Sequence, residues 1–241
     1  MSYNSFASHY DKMMADVDYS WWVQIIEKNV KLGHRVLDVG CGTGTLSLAL
    51  TELGYEVTGL DLSEDMLVMA REKAHECGKV LDLIHRDMRE LAGLSGFDCV
   101  LIAVDSLNYL ATAADVRQTF TGAHAALIGG GLLIFDVHTP KKLTETFKDY
   151  LYVENGDALT YIWHVCPGPH PLSVVHELTL FAKNEDGSYQ KAIEHHHQRT
   201  FELPQYLAWL VEAGFELIEI QKADGRNLLI ARKVEVDDET K

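Results

Sequence analysis

The sequence predicts an α/β fold: a doubly wound, seven-stranded, mainly parallel sheet carrying an antiparallel β insertion. Three observations predict it. Apolar strand-like runs alternate with helix-like segments through the first 137 residues. Between 150 and 202, strand signals follow one another without intervening helices. A helix and two further strand signals then close the chain.

Each element has its own signal. An N-terminal helical cap is expected over 1–34 and an α/β core over 35–149. RVLDVG (35–40) is a short apolar run ending in Gly, and Thr45–Leu53 follows as a helix stopped by Gly54. YEVTGLD (55–61) is the second strand. Ser63 caps the next helix, with Glu64 and Asp65 in its first turn, where the helix dipole favours acids. That helix ends near Cys77 and Gly78. VLDLIHRD (80–87) and FDCVLIAVD (97–105) are the third and fourth strands, the latter apolar enough to be buried on both faces. A helix over 113–127 leads to GGGLLIFDV (129–137), the fifth strand, and Thr139-Pro140 opens another helix. Right-handed crossovers are expected throughout.

The insertion, 150–202, reads as a lid over part of the parallel sheet. In ALTYIWHV (158–165), Leu159, Tyr161, Trp163 and Val165 share one face. SVVHELTLFAK (173–183) and the strand from Tyr189 flank NEDGS, whose Asp186-Gly187 is a hairpin turn. Residues 203–234 supply a helix stopped by Gly214 and the last two core strands, and 235–241 is an acidic tail.

Charge and composition exclude several function classes. Acidic residues number 36 against 21 Lys and Arg, a formal charge of −15. Most of such a surface repels a phosphate backbone or an anionic membrane, so nucleic acid and membrane partners are disfavoured. Cysteines 41, 77, 99 and 166 contain no CxxC pair and read neither as a disulfide framework nor as a zinc site. The N-terminus lacks the apolar core of a signal peptide, and no run approaches the roughly 20 apolar residues that span a bilayer. A cytoplasmic protein is expected; a homo-oligomer is compatible with the sequence.

The chemistry concentrates after the first strand, in Asp38-Val39-Gly40-Cys41-Gly42-Thr43-Gly44. Glycines at a strand's carboxyl end let the backbone approach a ligand. Asp61, Asp87 and Asp105 then place an acid at the end of each of the next three strands. Like charges around one pocket are unfavourable unless a cationic or polyhydroxylated ligand compensates. The loop reads GxGxG, not the GxGxxG of dinucleotide folds, and Asp38 would repel a pyrophosphate. The ligand is therefore cationic and adenosine-like rather than a dinucleotide, which argues against a nicotinamide-dependent oxidoreductase.

LDVGCGTG, followed in order by VTGLDLSEDMLVMAREKA, RDM and FDCVLIAVDSLNYL, resembles the class I S-adenosylmethionine-dependent methyltransferases, over about residues 35–137. YDKMMADVDYSWW and the inserted sheet resemble a bacterial subgroup acting on small molecules. The resemblance implies a Rossmann-like methyltransferase fold, S-adenosylmethionine as cofactor and a small-molecule methyl acceptor. Asp38 and the backbone of Gly40, Cys41 and Gly42 would hold the methionine end. Asp61 would bind the ribose hydroxyls, with Leu62 and Met66 near the adenine. Asp87 would accept from the adenine amino group, with Met88 beside the ring. Val104 and Asp105 would lie under the methionine and sulfonium, and Tyr10 and Trp22 would close over the cofactor. Two other readings stay open: a methyltransferase acting on protein or RNA, and a non-catalytic cofactor-binding module.

Other residues carry weaker signals. His138 follows strand five at the functional edge and is the candidate base, though a helix-capping or hydrogen-bonded loop residue is the simpler reading. Asn108 and Tyr109 follow strand four, and Asp105-Ser106-Leu107-Asn108 lacks the prolines of nucleic-acid aminomethylases. Trp163 and His176 are candidate substrate contacts from the insertion. Cys41 reads as a small residue packed beside the cofactor. Of His195-His196-His197, only two can share a strand face, so the run reads as exposed strand residues and no metal is assigned.

Overall fold

The computed structural model describes residues 10–14 and 17–235; the acidic tail lies outside the described residues apart from Glu235. Helix α1 (Tyr19–Asn29) starts at Asp18, whose carboxylate accepts the Trp21 N–H. It buries Trp22, Ile25 and Ile26 against one face of a seven-stranded sheet. The strands are β1 (Arg35–Val39), β2 (Glu56–Asp61), β3 (Asp82–His85), β4 (Phe97–Ile102), β5 (Leu127–His138), β10 (Phe215–Ala223) and β11 (Arg226–Lys233). Their order is β10-β11-β5-β4-β1-β2-β3.

Five strands run parallel, and β11 is antiparallel to both its neighbours. The β10–β11 hairpin turns on Asp224 and Gly225, both at positive φ, the conformation a tight two-residue turn requires. After β1 the chain winds outward through β2 and β3, then returns to add β4 on the other side of β1. The crevice between the carboxyl ends of β1 and β4 is thus the topological switch point, where open α/β sheets bind ligands.

Helices α2 (Thr45–Leu53), α3 (Glu64–Glu76), α4 (Ala113–Ala126) and α5 (Leu203–Glu212) cover the sheet. Helix α3 is capped by Ser63, whose hydroxyl accepts the Met66 N–H. One apolar core joins β4, β5, α4 and α5 around Phe120, Phe135 and Tyr206; a second joins α1, α2 and the opposite sheet face. Burial of strands such as β4 on both faces follows from this sandwiching and explains their near-continuous apolar runs.

The insertion forms a second sheet, antiparallel throughout, in the order β6-β7-β8-β9: Leu151–Asn155, Leu159–Pro167, Ser173–Lys183 and Tyr189–Arg199. Its inner face packs Leu159, Leu178 and Leu180 on Met66 of α3 and on Tyr10 and Met13 of the N-terminal segment. Strand β6 carries no clear sequence signal: all five of its residues are exposed, so it lacks apolar alternation. The helix expected after Thr139-Pro140 is one wide turn, Lys142–Thr146. It buries Leu143, and Phe147 just beyond it, under Val165 and Val174 of the second sheet.

Candidate active site

The β1–α2 loop is shaped by its glycines. Gly40, Gly42 and Gly44 all have positive φ. A Cβ on Gly40 would stand 2.8 Å from Ser106, and one on Gly44 2.9 Å from Ala70, so a side chain at either position would clash with the neighbouring turn or with α3. The Gly40 and Cys41 N–H groups donate to the Leu60 carbonyl, clasping the loop to the end of β2. A cavity of about 370 Å³, mouth included, opens at the switch point between this loop and Ala103, Val104 and Ser106, with Tyr10 and Tyr19 on its rim.

Asp38 lines this cavity and is 2% exposed. Burial pushes its carboxyl up to about 6, against the Ser47 hydroxyl, which donates to Oδ2 at 2.6 Å. Asp61 closes the other side of the loop. Its oxygens accept the Gly42 and Ser63 N–H groups, each at 2.8 Å, yet burial holds its carboxyl above the ordinary range. A cationic, hydroxyl-bearing ligand would relieve both acids.

Backbone conformation marks the facing wall. Val104 and Asp105 follow β4 at φ 56° and 63°. Consecutive left-handed non-glycine residues, one β-branched, are sterically costly and cluster at functional sites.

Not every expected contact is present. Trp22 faces the core beneath α1, and Tyr19, three residues earlier, lines the cavity instead. Met66 packs under the second sheet and does not line the cavity. Leu62 is 65% exposed beside Asp61. Met88 reaches the loop, its methyl 3.6 Å from the Gly40 Cβ position. Asp87 gives its oxygens to the Arg89 guanidinium at 2.6 and 2.9 Å, and that pairing holds its carboxyl low. Cys41 is half-buried against Gly59, and burial beside Asp38 and Asp61 pushes its thiol far up, leaving it inert.

Asp105 turns to a buried polar cluster instead of lining the cavity. Arg226 forks onto it with two bonds of 2.6 Å. The hairpin makes this pairing: it sets Arg226 directly opposite His138 in register, at the end of β5. Burial opposes ionisation of Asp105, but Arg226 and His138 outweigh it and hold the carboxyl well below its ordinary value. Asp136 beneath it is fully buried and pushed well above its ordinary value by burial and by Asp105.

A hydrogen-bond chain links this cluster to the second sheet. The Trp163 indole N–H donates to His176 Nδ1 at 3.0 Å. The indole is donor only, so His176 carries its proton on Nε2 and donates it to Gln198 Oε1 at 3.0 Å. His138 Nε2 donates to the same oxygen at 2.9 Å. His138 Nδ1 then presents a lone pair, with no hydrogen bond, 3.2 Å from Asp105. Burial lowers both imidazoles to about 4, so both are neutral near pH 7. Asn108 is spoken for: its amide donates to the Arg199 carbonyl, and its oxygen accepts the His138 N–H. It ties strand ends together and is fully buried. The Tyr109 hydroxyl meets His196 Nδ1 at 3.2 Å.

Tyr19, Arg226, Asp136 and Gln198 escaped the sequence reading. Gln198 had one usable signal, since alternation along β9 turns it to the inner face with His196. The others depend on helix phase and cross-strand register.

The geometry has counterparts. A family model described as a methyltransferase domain matches residues 36–131. GWCH70_2453 of Geobacillus sp. (strain WCH70), which carries a methyltransferase name, is 44% identical over 91% of both chains. The chain belongs to the class I S-adenosylmethionine-dependent methyltransferases. Among solved structures, an S-adenosylmethionine-dependent methyltransferase from Clostridium acetobutylicum ATCC 824 superposes with a TM-score of 0.84 at 24% identity, covering 97% of this chain and 99% of that one. CalS10 of Micromonospora echinaspora, an amino pentose methyltransferase solved with S-adenosylmethionine bound, gives 0.75 at 21% identity over 97% and 98%. No helix among the described residues is long and apolar enough to cross a membrane.

Proposed function

We propose that this methyltransferase methylates a small-molecule nucleophile held between the carboxyl ends of β4 and β5 and the inner face of the second sheet. The observation that carries this reading is a hydrogen-bonded chain: Trp163, His176 and Gln198 of the second sheet lead onto His138, 3.2 Å from Asp105, whose neighbours Val104 and Ser106 line the cavity. A sheet closing over the reaction edge suits a small acceptor better than a polymer. CalS10, with the same two-layer fold, is named for an amino pentose, which supports the class without fixing the acceptor.

The residues present fit S-adenosylmethionine. Asp38 is a buried acid on the cavity wall, suited to an ammonium group. Asp61 is suited to ribose hydroxyls, and exposed Leu62 to an apolar ring edge. When bound, the cofactor supplies a methyl group on positively charged sulfur. Val104 and the Gly40–Gly42 backbone position it, and Tyr10 and Tyr19 exclude water from the rim.

Proton removal falls to Asp105 and His138. Asp105 is the more accessible of the two, 13% against 2% for His138. A proton leaving the acceptor passes by the Asp105 carboxylate to His138 Nδ1, whose lone pair is available. The imidazolium so formed is held by Asp105 on one side and Gln198 on the other.

The test is release of S-adenosylhomocysteine from purified chain incubated with panels of small amines, amino sugars and phenols, beside bulk RNA and protein. Turnover of a small acceptor that drops in His138→Ala supports the reading. Turnover confined to the RNA or protein arm contradicts it.

A further inference from the structure

The second sheet has an outer face that the methyl-transfer site does not use. On it, adjacent strands bring unlike metal-binding side chains together. His164 of β7 is paired in register with Glu177 of β8, and Glu177 with His195 of β9. Cys166 follows His164 by two residues and so shares its face. These are the partners that the spacing of histidines and cysteines along the chain does not reveal, because cross-strand register, not sequence separation, gathers them.

Three ligand atoms are already convergent. His164 Nδ1 lies 3.3 Å from Glu177 Oε2 and 3.4 Å from Cys166 Sγ, and Sγ lies 3.6 Å from the same Glu177 oxygen. A tetrahedral zinc ion with nitrogen and oxygen ligands at about 2.0–2.2 Å and sulfur at about 2.3 Å has ligand–ligand edges of roughly 3.3–3.6 Å. The three atoms therefore already occupy one face of such a tetrahedron. His195 Nε2, 3.9 Å from the other Glu177 oxygen, stands on the neighbouring strand outside this triad, and a rotation of its side chain would bring it in as the fourth ligand. The side chains of His164, Glu177 and His195 are about half exposed, so an ion can enter from solvent.

We propose that His164, Cys166, Glu177 and His195 form a binding site for zinc or a similar borderline divalent ion. The donor set selects the class: thiolate and imidazole disfavour magnesium and calcium, and the mixed S, N and O set suits zinc. The ion clips β7, β8 and β9 together from outside. The inner face of the same strands carries Trp163, His176 and Gln198, so the clip stiffens the face that bonds to His138 without touching the cavity at the Gly-rich loop.

The experiment uses the full chain without an affinity tag, stripped with chelator under reducing conditions and titrated calorimetrically with zinc chloride. Cobalt(II) serves as the spectroscopic probe, because a thiolate ligand gives it a charge-transfer band. Saturable binding of one ion per chain is expected, with the cobalt–thiolate band. Cys166→Ser should abolish that band, His164→Ala should weaken zinc binding by about tenfold or more, and Cys77→Ser should change neither. Zinc should raise the melting temperature of the wild type and not that of Cys166→Ser. Because the wild-type band reads thiolate ligation directly, the test stands even if a variant folds poorly. Absence of saturable binding, a stoichiometry of two chains per ion, or binding unchanged in Cys166→Ser and His164→Ala would overturn the proposal.

Discussion

Asp38 combines deep burial with a carboxyl pushed up to about 6, so if it holds the cofactor as proposed, affinity should depend on pH. Below that value it is protonated and no longer attracts a cation. Affinity for S-adenosylmethionine should fall as pH drops through 6, and Asp38→Asn should bind more weakly with a flatter pH profile, by calorimetry in matched buffers. The stability sign is opposite. The native chain holds this proton more tightly than the unfolded chain, whose reference value is 3.8, so stability is lost as pH rises from about 4 through 6. The loss is on the order of 3 kcal/mol, and a bound cation returns part of it. Gln198 acts at the same scale, because its one oxygen accepts from two buried histidines. Gln198→Ala leaves both donors unpaired, and kcat should fall about 10–100-fold while cofactor affinity stays within about twofold. Asp38 and Asp61 were legible because each ends a strand beside glycines. Trp22 was misplaced because Tyr19 and Trp22 lie three residues apart on nearly one helix face, and only packing decides which fills the core.

Among elements, the N-terminal segment is held by a definite clasp. The Lys73 ammonium on α3 meets Asp11 at 2.6 Å and donates to the hydroxyls of Thr43 on the Gly-rich loop and Thr45 at the start of α2. Tyr10, beside Asp11, stands over Gly42 at the cavity rim. Lys73→Met should therefore loosen the cover and raise the cofactor's dissociation rate about two- to tenfold, read by stopped-flow fluorescence, with little change in melting temperature. Strong periodicity made the long elements readable: helices Thr45–Leu53 and Glu64–Glu76 lie where Gly54 and Ser63 put their ends. Strand β6 was missed since its exposed residues owe their conformation to pairing with β7. Strand five begins earlier than its glycines suggest, and the ladder to β4 shifts register there, because Gly129–Gly131 form an irregularity inside the strand, not its start.

For the whole molecule, sheet order places the site. The reversal between β1 and β4 opens the crevice, and the antiparallel β11 delivers Arg226 to Asp105 in the buried cluster beside it. Alternating strands and helices made the parallel sheet readable from sequence; Arg226 was invisible because its pairing with Asp105 spans 121 residues. The family resemblance and the strand-end acids pointed to one pocket, whereas the Trp163–Gln198–His138 chain arises only when two sheets meet. A ligand that binds the folded chain alone stabilises it, so S-adenosylmethionine at about 100 times its Kd should raise the melting temperature by roughly 5–10 °C. The most direct test of the account is a calorimetric titration of the full chain with S-adenosylmethionine, in parallel with NADH and with Asp61→Ala. The account predicts one-to-one binding of S-adenosylmethionine, weakened about tenfold or more in Asp61→Ala, and none of NADH. Folded protein that ignores S-adenosylmethionine, or binds it equally well without the Asp61 carboxylate, would contradict it.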